Sequence, residues 1–384
     1  MPATGVATGE TNAGADPRLA ADAVRQALAK LKTDRASSVL LFLSGHFNKQ
    51  PASAIHAAAR AAQTTQIAGC TSVGVYTEQQ WTIDQPAAAA MVFASSEEGA
   101  HGNELTPALS TDDDDWLLSL ASPASANREW LAMPGHRIGA LAGDNTGRGP
   151  FPVWSSGKLL DAGRVDLHLP RDCRVTVSPG LTPLSSLLGV TEVKEFDLMK
   201  VGHRPALAAL VAQALPHLEA GQPFPWHRLL LARAEDEPRI ALASGDYELL
   251  PVLGVSASRS LVVGGRLLEG DRVFSVLREP AVAKHELDIR LTSAMASSFS
   301  SSPSSSFSTS LSMSRRGGAP RYVLLFSCAG RGPGFFEGRD ADWESVKRLY
   351  PDTPLIGFYG NGEIASVSGR NRLLQFASVC ALIG

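Results

Sequence analysis

The sequence predicts an α/β (α+β) protein of two pseudo-symmetric mixed-sheet domains, with a disordered Ser-rich insertion in its C-terminal half. Three observations predict it. Short continuous apolar runs, Ser38 to Ser44 (SVLLFLS) and Tyr322 to Ser327 (YVLLFS), have strand length and the composition of strands buried on both faces. Stretches with apolar residues at helical spacing alternate with them. Much the same order of elements also occurs twice: Val39-Leu40-Leu41-Phe42 matches Val323-Leu324-Leu325-Phe326, and Gly69 and Gly74 match Gly357 and Gly362 with the spacing kept. At 384 residues the chain is long enough for two or more domains, each with a sizeable core.

Residues 1 to 15 are small and polar and are predicted to be disordered. Asp16 and Pro17 open a helix, the first as a cap and the second at the position where its missing N–H is harmless. Ala20, Val24, Ala27, Leu28 and Leu31 form its apolar stripe. Pro51 leads an Ala-rich helix over 52–62, and Gln66 to Gly69 is a short strand. Gly74 to Ile83 and Ala87 to Ala94 are two further strands, joined by a turn at Asp84-Gln85-Pro86. The acidic run Asp112 to Asp115 is predicted to cap a helix beginning Trp116-Leu117-Leu118 rather than to bind a cation. From Ile138 the chain is β-rich, with turns at Gly143-Asp144-Asn145 and Ser156-Gly157. Pro205 starts a helix through Leu207, Leu210, Val211 and Leu215. Leu261 to Val263 and Arg272 to Leu277 read as paired strands, and Glu279-Pro280 opens a helix to about Ala296. More than half of positions 293 to 314 are serine, so residues 292 to 320 cannot bury enough apolar surface to offset their ordering entropy. A helix over 340–349 and strands at Pro354 to Phe358, Gly362 to Val367 and Leu373 to Ile383 complete the chain.

Composition removes several function classes. With 35 basic and 38 acidic residues the charge is nearly balanced, which argues against a large nucleic-acid surface. No apolar run reaches the roughly 18 residues of a membrane span, and the first 15 residues lack the parts of a secretory signal. Cys70, Cys173, Cys328 and Cys380 are scattered, without a C-x-x-C pair. The expectation is a cytoplasmic protein with free thiols. Nine dispersed histidines show no metal-ligand spacing, so neither metal nor cofactor is expected. Gly330, Gly332 and Gly334 do not make a dinucleotide loop, because Pro333 and Phe335-Phe336 stand where a helix would have to open. There is no Walker-type phosphate loop.

The chemistry concentrates between Phe326 and Glu363. A Gly-rich turn directly after a buried strand lets backbone N–H groups approach a ligand. Arg331 lies inside that turn and suits a carboxylate or phosphate. Glu363, after the tight turn Gly360-Asn361-Gly362, suits an amino group. Together they suit a zwitterion such as an amino acid; the plainer reading is two tight turns with solvated charges. The site hypothesis therefore places Cys328, Arg331, Gly332, Tyr359, Asn361 and Glu363 around a small ligand, with Gly69, Cys70 and Thr71 from the other half. Tyr359 offers a ring face and a hydroxyl. No residue is assigned as catalytic. Cys328 as a nucleophile, activated by Arg331 or by loop N–H groups, is an alternative, but no histidine base can be assigned to it. A protein–protein adaptor without a small ligand is another.

FSCAGRG at 326–332, PLIGFYGNGEIA at 354–365 and LLQFASVCALIG at the end are the residues at which the chain resembles the FIST sensory proteins. VTVSPGLTPL at 175–184, RPALAAL at 204–210, VLLFLSG at 39–45, IAGCTSVGV at 67–75 and AGDNTG at 142–147 extend the resemblance over roughly residues 36 to 384. It implies a tail and helix over 1–35, a FIST N domain over 36–196 and a FIST C domain over 197–384, the Ser-rich insertion at 292–320 being outside the pattern. It also implies an intracellular sensing module for small ligands such as amino acids. No F-box, kinase, cyclase or membrane segment is visible, so any output goes through a separate protein partner or oligomerisation. Val75 stands where the second copy has Glu363, so the first half lacks that charged contact.

Overall fold

A computed structural model describes residues 1–10, 14–94, 105–218, 224–296 and 319–384. Most of the Ser-rich tract expected to be disordered, residues 297–318, lies outside the described residues; residues 292–296 end the helix Pro280–Ala296. The chain forms two compact units, Met1–Ser178 with Leu287–Gly384, and Pro179–Glu286.

The first unit is built from three mixed sheets. The first runs in the order Ala3–Thr8, Ala87–Phe93, Ser38–Ser44, Ile67–Ser72, Val153–Ser155, Lys158–Leu159. The second runs Cys173–Ser178, Ser378–Ile383, Tyr322–Cys328, Leu355–Gly360, Gly74–Thr77, Trp81–Ile83. The third runs Arg164–His168, Trp116–Ala121, His136–Leu141, Glu363–Val367, Arg370–Leu374. Each sheet holds one parallel pair: Ser38–Ser44 with Ile67–Ser72, Tyr322–Cys328 with Leu355–Gly360, and Trp116–Ala121 with His136–Leu141. A third copy of the motif thus joins the two visible in the sequence.

The three copies exchange strands in a cycle. After Ile67–Ser72 the chain crosses to the second sheet, where Gly74–Thr77 pairs with Leu355–Gly360. After Leu355–Gly360 it crosses to the third, where Glu363–Val367 pairs with His136–Leu141. After His136–Leu141 it crosses to the first, where Val153–Ser155 pairs with Ile67–Ser72. The crossings are tied by a closed ring of backbone hydrogen bonds: Val73 N–H donates to Tyr359 O (3.1 Å), Asn361 N–H to Leu141 O (3.2 Å) and Gly143 N–H to Thr71 O (3.0 Å).

One glycine per copy makes the exchange possible. Gly69 lies opposite Leu41, Gly357 opposite Leu325 and Gly139 opposite Ser119. A Cβ on these glycines would sit 1.8, 1.7 and 2.0 Å from the facing carbonyl oxygens of Leu41, Leu325 and Ser119. On its other side each glycine faces a residue of the incoming strand: Trp154, Tyr76 and Ile364 respectively.

Apolar side chains from all three sheets meet in one core. Phe42 and Cys70 come from the first, Phe326 and Phe358 from the second, Leu118 and Ile138 from the third. Phe42 meets Phe358 edge-on with ring centroids 4.7 Å apart. The opposite faces are covered by helices. Arg18–Leu31 and Pro51–Ala62 cover the first sheet, and Val346 of Ala341–Leu349 with Leu287 and Leu291 the second. Trp130 of the short helix Arg128–Leu131 packs on Leu141 and Ile364 of the third.

Several sequence expectations are corrected. Trp116–Ala121 is a strand, not a helix: so short an apolar run carries no decisive period, and the register with His136–Leu141 decides it. The acidic run before it makes a local turn, Asp112 N–H donating to Asp115 Oδ2 at 3.0 Å, and caps no helix. Of the tail expected to be disordered, Ala3–Thr8 is an edge strand on Ala87–Phe93, and residues 11–13 lie outside the described residues. Its small side chains are a packing seam: a Cβ on Gly5 would come within 2.0 Å of Ala23 O in the covering helix. Leu373 to Ile383 is two strands, Arg370–Leu374 and Ser378–Ile383, belonging to different sheets.

The second unit is a closed barrel. Leu188–Lys194, Asp197–Val201, Leu261–Val263, Glu248–Val255, Leu229–Arg233 and Arg272–Arg278 pair in that cyclic order, the last returning to the first. Leu261–Val263 and Arg272–Arg278, expected to pair with each other, instead sit at separate places in the ring, because each finds closer partners around it. Ala206, Ala209 and Leu210 of the helix Ala206–Ala214 complete the apolar interior.

Candidate functional site

The parallel strands Tyr322–Cys328 and Leu355–Gly360 end side by side, the place where open α/β sheets bind ligands. After Cys328 a single 3₁₀ turn, Ala329–Arg331, folds the Arg331 side chain back into the protein, where it is 1% exposed. Asp340 caps the helix Ala341–Leu349 by accepting from Trp343 N–H at 2.8 Å, and the first turn of that helix points Asp342 inward. Arg331 grips Asp342 in a bidentate pair, Nε to Oδ2 at 2.8 Å and Nη2 to Oδ1 at 3.0 Å. Its Nη1 donates to Ser178 O at 2.7 Å and Nη2 to Ser178 Oγ at 2.9 Å. Ser327 Oγ also donates to Asp342 Oδ2, at 3.1 Å. Beside this pair, Tyr359 OH donates to Asp340, and the Tyr359 ring stands edge-on to Tyr76 at 5.0 Å. Burial, and then the charge of Asp342, push the Asp340 carboxyl up to about 7.

Glu363 is the exceptional member. It opens the strand Glu363–Val367 opposite Ala140, whose side chain lies in the core between the sheets, so the Glu363 side chain is directed to that core. It is fully buried, and neither carboxylate oxygen makes a well-formed hydrogen bond among the described residues, although the Ala377 amide interacts with it at looser geometry. The register makes its counterparts in the other two crossings Val75, opposite Phe358, and Val153, opposite Cys70. Two copies therefore carry valine where the third carries a carboxyl group. Burial pushes the Glu363 carboxyl well above the ordinary range; the Ala377 amide and the Arg331 charge pull it down, and the Asp342 charge pushes it further up.

Of the residues proposed from sequence, Arg331, Tyr359 and Glu363 fall in this buried cluster. Gly332 lies against the Tyr359 ring, a Cβ there standing 3.3 Å from Cε1. Cys328 ends its strand, 8% exposed. Asn361 sits in the hydrogen-bonded ring of crossings, beside Gly143. Gly69, Cys70 and Thr71 occupy the same places in the first sheet as Gly357, Phe358 and Tyr359 do in the second. There Cys70 is a core side chain whose thiol burial pushes up, and Thr71 Oγ1 is buried without a hydrogen-bond partner among the described residues. Sequence reading missed Asp340, Asp342, Ser178, Ser327 and Tyr76. An Asp three residues before Trp343, at the start of a helical stretch, is a capping signal that would have found Asp340; nothing local marks Ser178. The guanidinium assigned to the anionic end of a ligand is engaged by Asp342 and Ser178. No group of three or more His, Cys, Asp or Glu side chains among the described residues is placed to hold a metal.

A buried carboxyl with no well-formed hydrogen bond costs stability, and the cost depends on pH. Below about 4.5 Glu363 is neutral folded or unfolded. Above that only the unfolded chain ionises freely, so unfolding releases a proton and stability falls as pH rises, by about 1.4 kcal/mol per unit until the folded group titrates. Asp340 adds the same slope between 3.8 and about 7. Glu363→Val, which copies Val75 and Val153, is expected to stabilise the protein by roughly 1–3 kcal/mol at pH 7. Urea denaturation at pH 5 and 7 checks this: the variant's gain is larger at pH 7.

Matches to family models decide the identity: a FIST N domain over residues 37–204 and a FIST C domain over residues 208–366. The chain belongs to the FIST family. FIST domains are associated with sensory and signal transduction. Relatives include an uncharacterized protein of Mycobacterium tuberculosis (strain ATCC 25618 / H37Rv), 27% identical over 253 residues, 65% of this chain and 61% of the relative. An uncharacterized protein of Mycobacterium bovis is 28% identical over 255 residues, with the same coverage. The chain thus spans about three fifths of the length of these relatives. The two FIST matches do not coincide with the compact units: their junction falls between residues 204 and 208, inside the stretch Pro179–Glu286. No helix among the described residues is long and apolar enough to cross a membrane.

Proposed function

We propose that this FIST protein is a sensor of a small polar metabolite, an amino acid or a related amine, which binds where Tyr322–Cys328 and Leu355–Gly360 end. Glu363 carries the reading. Proteins rarely bury a carboxyl without a partner, since each such group forfeits its hydration. The two pseudo-equivalent crossings pack valine at this place, so the fold itself does not require a carboxyl there. A ligand that donates to Glu363 supplies the missing partner, with the Gly332 turn and Tyr359 beside it. The response passes to a separate protein, whose binding depends on the ligand.

A thermal-shift screen of amino acids and small amines against the full chain tests the proposal. At a hundredfold excess over its Kd, a true ligand adds about 2.7 kcal/mol of stability. Glu363→Gln keeps the shape and removes the charge, and is expected to weaken the best hit at least tenfold. A hit that binds the variant as well as the parent refutes the assignment.

A further inference from the structure

Resting on the reading just given, a further property of the ligand follows from the charges around Glu363. Three carboxyl groups, Asp340, Asp342 and Glu363, share this buried region with one guanidinium, Arg331. Titratable and polar groups reach Glu363 from several elements, including Tyr76 of the strand Gly74–Thr77. Arg331 approaches from the 3₁₀ turn, Asp342 from the helix Ala341–Leu349, and the Ala377 amide from the segment before Ser378–Ile383. The residues paired with Glu363, Ala140 and Leu374, are apolar. Arg331 is neutralised by its bidentate contact with Asp342 and also donates to Ser178 O and Oγ. The cluster therefore holds an excess of acid, and its guanidinium is already committed to a carboxylate. Independently, both Glu363 oxygens are fully buried and neither makes a well-formed hydrogen bond among the described residues.

We infer that this site recognises the ammonium group of its ligand, and that binding exchanges one proton of Glu363 for that cation. The step balances: the Glu363 carboxyl releases its proton to solvent, and the resulting carboxylate pairs with the R–NH₃⁺ group, leaving the buried charge unchanged. A carboxylate on the ligand gains nothing from Arg331. A ligand's amine is thus the group read, and its acid group is dispensable.

The experiment measures the unfolding midpoint of the full chain with methylammonium, glycine, acetate or potassium ion, at fixed ionic strength and at pH 6, 7 and 8. Methylammonium and glycine are expected to raise the midpoint while acetate and potassium do not. The apparent affinity for methylammonium rises about tenfold per pH unit while Glu363 carries its proton in the free protein, because one proton leaves for each cation bound. Glu363→Gln abolishes both the shift and its pH dependence. The inference is overturned if acetate matches methylammonium, if potassium reproduces the effect, if the methylammonium affinity does not change with pH, or if no probe shifts the midpoint. These failures differ from failure of the sensor reading, which falls only when hits from the wider metabolite screen are indifferent to Glu363→Gln.

Discussion

Gly357→Ala is expected to destabilise the first unit by roughly 3 kcal/mol or more, enough to leave much of the chain without its native sheets at 37 °C. The added Cβ would stand 1.7 Å from Leu325 O and 2.5 Å from Tyr76 Cε2. The first atom belongs to the backbone of a strand paired on both sides and cannot move without breaking its ladder. The second belongs to the strand that crosses from the first copy, so the same methyl group pushes the exchanged hairpin away. Gly69→Ala meets the same obstacle at Leu41 O. Gly139→Ala adds an unfavourable backbone conformation, φ +150°, to its 2.0 Å approach. Gly334→Ala is the control: nothing lies within 4 Å of its Cβ, and a change of less than about 0.5 kcal/mol is expected. Urea denaturation followed by circular dichroism separates the two classes. A Gly357→Ala midpoint equal to that of Gly334→Ala would show that the crossing is loosely packed.

Arg331→Ala is expected to cost about 3–5 kcal/mol in the absence of any ligand, because it strands Asp342 as an uncompensated buried charge. It also removes the hydrogen bonds that Arg331 donates to Ser178 O and Oγ. The double variant Arg331→Met with Asp342→Leu removes both charges together and is expected to recover most of the loss. A double-mutant cycle by urea denaturation gives the coupling between the two residues. If Arg331→Ala unfolds within 1 kcal/mol of the parent, the pair is not a structural ion pair and the guanidinium returns as a candidate for a ligand's anionic end. This is why Glu363→Gln, rather than a change at Arg331, is the informative probe of ligand binding: the first alters a group outside the supporting hydrogen bonds, the second dismantles the support.

The exchange of strands explains why two copies of the motif were legible and the third was not. SVLLFLS and YVLLFS are so alike in length and apolar content that their equivalence is visible without coordinates. WLLSLA in the third copy has a serine at its centre, no matching glycine-rich turn, and a longer loop before its crossing strand Val153–Ser155. Its membership rests on Gly139 lying opposite Ser119, as Gly69 does Leu41 and Gly357 does Leu325. Such a register is a relation between distant strands and has no signature in either one.

From the linear chain alone one could read the α/β class, the buried apolar strands, the Gly-rich turn and the concentration of Arg331, Tyr359 and Glu363 near the C-terminus. Those features follow from hydrophobic runs and turn residues a few positions long, and the physics of short segments suffices for them. Which group each charge meets was decided only in three dimensions. The turn after Cys328 and the first turn of Ala341–Leu349 bring Asp342 to Arg331, and the crossing into the third sheet leaves Glu363 facing a core in which Val75 and Val153 are its counterparts. A side chain's partner is set by competition among contacts brought together from across the whole unit, and that competition is resolved by the fold rather than by any local stretch of residues.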